Sequence, residues 1–142
     1  MRRLNVSSIF VLDACALVAL LKSEDGADIV VAAYKKAENG EAQIIINRIN
    51  LLEVYYGFYR ENGKEYADKI MDSVSKSVVS ISEFDNTLFS EAGRLKASYR
   101  ISLADSIVLA QSIVTGGELL TSDHHELEVL EEKEPIQIQW IR

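Results

Sequence analysis

The chain has 142 residues, 48% hydrophobic and 26% charged, with seven Gly, one Pro and a single Cys. That composition excludes a disordered, collagen-like or low-complexity chain, and a lone Cys excludes an intramolecular disulfide, so a reducing cytoplasm is the default setting and one domain over residues 1–142 the expected size. The net charge of −7 argues against broad, charge-driven binding to phosphate backbones. The apolar run Ala14 to Leu21 is far short of the ~18 residues of a spanning helix. Arg2 and Arg3 faintly resemble the start of a signal peptide, but Asp13 interrupts the apolar region and no small-residue cleavage site follows Leu21.

In chain order, Ile9 to Leu12 is a short strand and Ala14 to Leu21 a helix. Ala27 to Ala37 has helical apolar spacing and stops at Asn39-Gly40. Ile44 to Ile46 is a β-branched run, a buried strand. Leu51 to Tyr59 is helical, and Tyr66 to Val74 is a second helix after Asn62-Gly63. Val78, Val79 and Ile81 form a third strand. A helix runs from Asp85 to Tyr99, and another from Leu103 to Val114 is closed by Gly116-Gly117. Leu119 to Thr121 is a fourth strand, His124 to Glu132 a short acidic helix, and Ile136, Ile138 and Trp140 alternate as an edge strand after Pro135. This order predicts an α/β domain: a mainly parallel, five-stranded sheet with helices on both faces.

In open α/β sheets, sites form beyond the carboxyl ends of the strands. Asp13 directly follows the first strand, and Asp123 follows the fourth. Glu53 is expected in the first turn of the helix after Ile44 to Ile46, and Asp105 in the first turn of the Leu103 helix. Each has a plain structural reading as a cap or a helix-dipole partner: Ser102 to Asp105 has the capping-box pattern and Asn50 to Glu53 approximates it. Together they ask for more. Asp13 and Asp105 sit in apolar surroundings, and no basic residue at comparable positions pairs the four off. Carboxylates converging on one spot repel each other, and a hard divalent cation resolves that conflict. Such a site suits phosphodiester cleavage.

Four segments carry a resemblance: Phe10-Val11-Leu12-Asp13-Ala14-Cys15-Ala16-Leu17, Asn50-Leu51-Leu52-Glu53-Val54, Ser102-Leu103-Ala104-Asp105-Ser106 and Leu119-Leu120-Thr121-Ser122-Asp123. In this order and length the chain resembles the PIN-domain ribonucleases, and among them the VapC-type toxins of toxin–antitoxin pairs. The resemblance implies a three-layer α/β/α fold, Mg²⁺- or Mn²⁺-dependent endoribonuclease activity on RNA, and inhibition by a cognate antitoxin. It implies an acidic quartet of Asp13, Glu53, Asp105 and Asp123, catalytic and metal-binding. Asp13 and Asp105 would be the firmest ligands, Glu53 would hold a water beside the metal, and Asp123 would act on a second, weaker metal or through water. Thr121 or Ser122 would add a hydroxyl towards substrate. The alternative is a catalytically inactive PIN-like binding or scaffold module.

Other residues read as structure. Cys15 lies in an apolar setting that raises a thiol pKa, His124 and His125 diverge on a helix, and most of the acids from Glu118 onward read as a solvated face. Tyr55, Tyr56, Phe58 and Tyr59 read as core or as a packing face, a homodimer included.

Overall fold

The computed structural model describes residues 8–142; Arg2 and Arg3, weighed above as a signal-peptide start, lie outside the described residues. Five strands form one sheet: β1 (Ser8–Leu12), β2 (Ala42–Asn47), β3 (Val79–Ser82), β4 (Glu118–Thr121) and β5 (Gln137–Trp140). Their order is β3-β2-β1-β4-β5 and every pairing is parallel. The helices are α1 (Ala14–Lys22), α2 (Ala27–Glu38), α3 (Arg48–Asn62), α4 (Lys64–Ser75), α5 (Asn86–Ser98), α6 (Leu103–Thr115) and α7 (His124–Leu127). Among the described residues no helix is long and apolar enough to cross a membrane.

The apolar strands are continuous because helices cover both faces of the sheet. Strand side chains alternate, so neighbours in sequence enter different cores. Phe10, Leu12, Ile44, Ile46 and Leu120 pack against α1 to α4 through Leu17, Val30, Val54, Phe58 and Ala67. Val11 and Leu119 face the other way, towards Leu95, Val108 and Leu109 of α5 and α6. This is the three-layer α/β/α arrangement.

Three local expectations change. The third helix starts at Arg48 rather than Leu51, because Asn47, the last residue of β2, is itself the cap: its Oδ1 accepts from the Ile49 amide at 3.0 Å. Glu53 therefore lies in the second turn, and Asn50 is inside the helix rather than capping it. The expected helix His124 to Glu132 is one α-turn followed by a 3₁₀ segment, Glu128–Glu132. Leu127 and Leu130 are both buried, and a three-residue period brings them to one side. The aromatic group of α3 splits: Phe58 is core, whereas Tyr56 and Tyr59 are exposed.

The acidic C-terminal stretch also has exceptions to its solvated reading. Glu134 is half-buried, its side chain 7% exposed, and accepts from Arg94 Nη2 at 2.7 Å and from the Tyr99 hydroxyl. Arg94, and after it Tyr99, holds the Glu134 carboxyl below its ordinary range. A depressed carboxyl stabilises the fold above its unfolded pKa and stops doing so as the pH falls through the folded value. Glu134→Gln should therefore cost about 1–2 kcal/mol at pH 7. Urea denaturation of the two proteins should show that gap closing below about pH 4. A gap of the same size at pH 3 would contradict the ion pair's role.

Gly26, the cap of α2, has φ +90°, and a Cβ there would lie 2.4 Å from the carbonyl oxygen of Ile141. Ile141 is tied to the end of β4, its amide donating to Thr121 O at 3.0 Å. Gly26→Ala should destabilise by roughly 2 kcal/mol, from positive φ and the backbone clash together. A thermal midpoint within a degree of wild type would show that the β5 end yields freely.

Candidate metal centre

The strand order turns at β1: β2 and β3 lie on one side, β4 and β5 on the other. The crevice between the carboxyl ends of β1 and β4 is the switch point of the sheet. Asp13 leaves the end of β1 and Asp123 follows β4. α6 contributes Asp105 from its first turn, and α3 contributes Glu53 from its second.

Asp13 is 6% exposed. It caps α1, with Oδ1 accepting from the Ala16 amide at 2.8 Å, and its Oδ2 accepts a short hydrogen bond from the Thr121 hydroxyl. Burial pushes its carboxyl above the ordinary range, and the Thr121 and Ala16 bonds partly offset that. Thr121 Oγ1 in turn accepts from the Asp123 amide at 3.1 Å, so one buried hydroxyl links Asp13 to the loop that carries Asp123. Thr121 is fully buried, and its hydroxyl, expected to serve substrate, bonds Asp13 within the site. Ser122 Oγ lies 2.7 Å from Cys15 Sγ, and burial pushes the Cys15 thiol up.

One carboxylate oxygen each from Asp105, Asp123 and Glu126 lie within 4.8 Å of one another. Asp105 is 8% exposed, and its carboxyl is pushed up to about 9, first by burial and then by Glu126 and Asp123. Glu126 moves the other way, below its ordinary range, chiefly because Asp105 donates to it. Asp123 accepts from the Glu126 amide at 3.4 Å through Oδ1. Asp13 and Glu53 border this group: the charge of Asp123 acts on Asp13, and that of Asp13 on Glu53. Glu53 is half-buried, and burial raises its carboxyl while the Asn50 amide partly lowers it. Asn50 donates to Ala104 O at 3.1 Å, tying α3 to the first turn of α6.

Of the expected quartet, the tightest group takes in Asp105 and Asp123, with Asp13 and Glu53 alongside. Glu126 is the residue that sequence reasoning missed. The signal was present: Asp123-x-x-Glu126 directly after a strand is an N-terminal capping pattern, which sets Glu126 apart from a solvated acidic run.

Among the described residues no Lys or Arg forms an ion pair with any of these five acids. A nine-tenths-buried Asp105 facing two carboxylates is costly unless protonated or neutralised by a cation. Hard oxygen donors, several of them charged, in a partly open crevice fit a divalent cation of the Mg²⁺ or Mn²⁺ class. A groove between α3 and α4, lined by Leu51, Leu52, Tyr55 and Met71, contains none of the five.

Comparison with known proteins bears on the family and the fold. A family model described as PIN domain matches residues 10–133. No curated protein matches the sequence. Among solved structures, VapBC2 from Rickettsia felis bound to a DNA fragment from its promoter is similar at 19% identity, with a TM-score of 0.71 over 93% of this chain and 98% of that one. DNA-bound VapBC from Salmonella typhimurium is similar at 16% identity, with a TM-score of 0.74 over 95% and 99%. VapC20 from Mycobacterium tuberculosis, a sarcin-ricin loop cleaving toxin, is similar at 18% identity, with a TM-score of 0.58 over 79% and 87%.

Proposed function

The chain belongs to the PIN domain family, and from that membership we propose that it is a single-domain, divalent-metal-dependent endoribonuclease and the toxin of a toxin–antitoxin pair. The observation that carries this reading is the carboxylate group of Asp105, Asp123 and Glu126 at the switch point, with Asp105 buried and no cationic partner among the described residues. Asp13, Asp105, Asp123 and Glu53 are the residues we assign to metal and catalysis. A bound Mg²⁺ or Mn²⁺ would supply the positive charge that orients a phosphodiester and offsets the negative charge developing on it.

The chain's own residues do the positioning. Thr121 fixes one oxygen of Asp13 through its hydroxyl, and Ala16 fixes the other. The Asp123 amide, held by Thr121, sets the loop after β4. Asn50 keeps Glu53 and the start of α6 in register. Glu53, half-buried with a raised carboxyl beside Asp13, is placed to hold or accept a proton at the mouth of the site.

An acidic protein and an anionic substrate repel each other, so RNA affinity should depend on the divalent cation rather than on a basic surface. VapBC pairs among the similar structures, and a relative that cleaves the sarcin-ricin loop, support an antitoxin partner and an RNA substrate.

The test is metal binding by the purified protein. Calorimetric titration with Mn²⁺ should give a saturable site that Asp105→Asn weakens at least about tenfold. Identical isotherms for the two proteins would remove Asp105 from the metal site.

A further inference from the structure

The start of α6 is capped by two different parts of the chain. In a capping box, Ser102 Oγ takes the Asp105 amide and the Asp105 carboxylate returns to the Ser102 amide. The first bond is present, at 3.1 Å. The second is not: the Ser102 amide donates to Glu126 Oε1 at 2.7 Å instead. Asp105, nine-tenths buried, receives no donor from a backbone amide, a hydroxyl or a basic side chain among the described residues, and its carboxylate faces Asp123 and Glu126.

We propose that Glu126 is a positioning residue, which occupies the Ser102 amide and so keeps the Asp105 carboxylate out of its own cap and directed at the metal site. The proposal rests on the metal reading above. An aspartate three residues into a helix has a ready resting place on the cap amide, at the positive end of the helix dipole. Glu126 is held at the right distance to take that place, because its own amide bonds to Asp123 Oδ1 at the start of α7. The β4–α7 loop therefore carries Asp123 and also releases Asp105 from α6. Without the Glu126 acceptor, Asp105 turns back to Ser102.

Two substitutions separate this role from that of a direct, charged ligand. E126Q keeps a carbonyl acceptor for the Ser102 amide; E126A removes it. Mn²⁺ affinity, read from the electron paramagnetic resonance signal of free Mn²⁺, should stay within about threefold of wild type in E126Q and fall at least about tenfold in E126A, the range of a lost supporting bond. In the metal-free protein, amide hydrogen exchange at Ser102 should remain slow in E126A, because Asp105 takes over the cap, and should speed up at least tenfold in E126A/D105A. Equal loss of Mn²⁺ in E126Q and E126A would overturn the proposal in favour of a charged ligand, and no loss in either would overturn it outright. If wild type binds no Mn²⁺, the metal reading fails by itself. The exchange data still decide the positioning claim, and fast Ser102 exchange in E126A alone would sink it.

Discussion

Asp105→Asn should lower metal-dependent RNA cleavage by about a thousandfold or more while making the metal-free protein more stable. Both effects follow from one geometry. Asp105 is buried against Asp123 and Glu126 with no cation among the described residues to pair it. Its carboxyl is pushed up to about 9 from an ordinary 3.8. A raised carboxyl favours the fold while protonated, and that contribution is lost as the pH rises from the unfolded value towards the folded one. Metal-free wild type should therefore lose stability steadily between about pH 5 and pH 9, and the amide should remove much of that slope. At pH 7.5 in EDTA the gain should be roughly 1–3 kcal/mol, a few degrees to about 10 °C in thermal midpoint. At one Mn²⁺ concentration the midpoint should rise clearly more in wild type than in the variant. A variant less stable than wild type in EDTA would contradict the repulsion argument, whatever its activity.

Thr121→Val should be the most damaging single change outside the acids. Valine matches the shape of threonine, so no cavity opens, and the effect is that of one hydroxyl. That hydroxyl donates to Asp13 and accepts from the Asp123 amide, wholly out of water. Losing it leaves a buried carboxylate short of a donor and a part-buried amide without its acceptor, at about 1–3 kcal/mol. Asp13 is then free to rotate about its cap bond to Ala16, and cleavage should fall about 10- to 100-fold. Thr121→Ser, which restores the hydroxyl, should recover most of the activity. Thr121→Val with wild-type turnover would show that Asp13 does not depend on this bond.

Much of the fold was legible because the strands are short apolar runs and the helices carry clear stops. The parallel order follows from strands separated by helices. What was not legible lies where one residue serves two elements. Asn47 ends β2 and caps α3, so the helix begins three residues earlier than the apolar periodicity of Leu52, Tyr55 and Tyr59 suggests. This moved Glu53 by a turn without removing it from the neighbourhood of Asp13. The acids after strands were visible at Asp13 and Asp123 because each directly follows a buried run. Glu126 was hidden among Glu128, Glu131 and Glu132, and what sets it apart is its contact with Ser102, 24 residues earlier in the chain. Thr121 looked like a substrate hydroxyl because it lies beside Asp123. Only the pairing of β1 with β4 brings its side chain to Asp13. Periodicity speaks for elements and their faces, but contacts across the switch point depend on the sheet order.

In the proposed function this acidic site holds a divalent cation and cuts RNA with it. The most direct measurement is incubation of total cellular RNA with the purified protein in Mg²⁺, in Mn²⁺ and in EDTA, with Asp105→Asn alongside and the new 5′ ends mapped. Discrete cuts are expected with either metal, none in EDTA and none with the variant. Cuts that persist in EDTA or in the variant, or intact RNA under every condition, would contradict it.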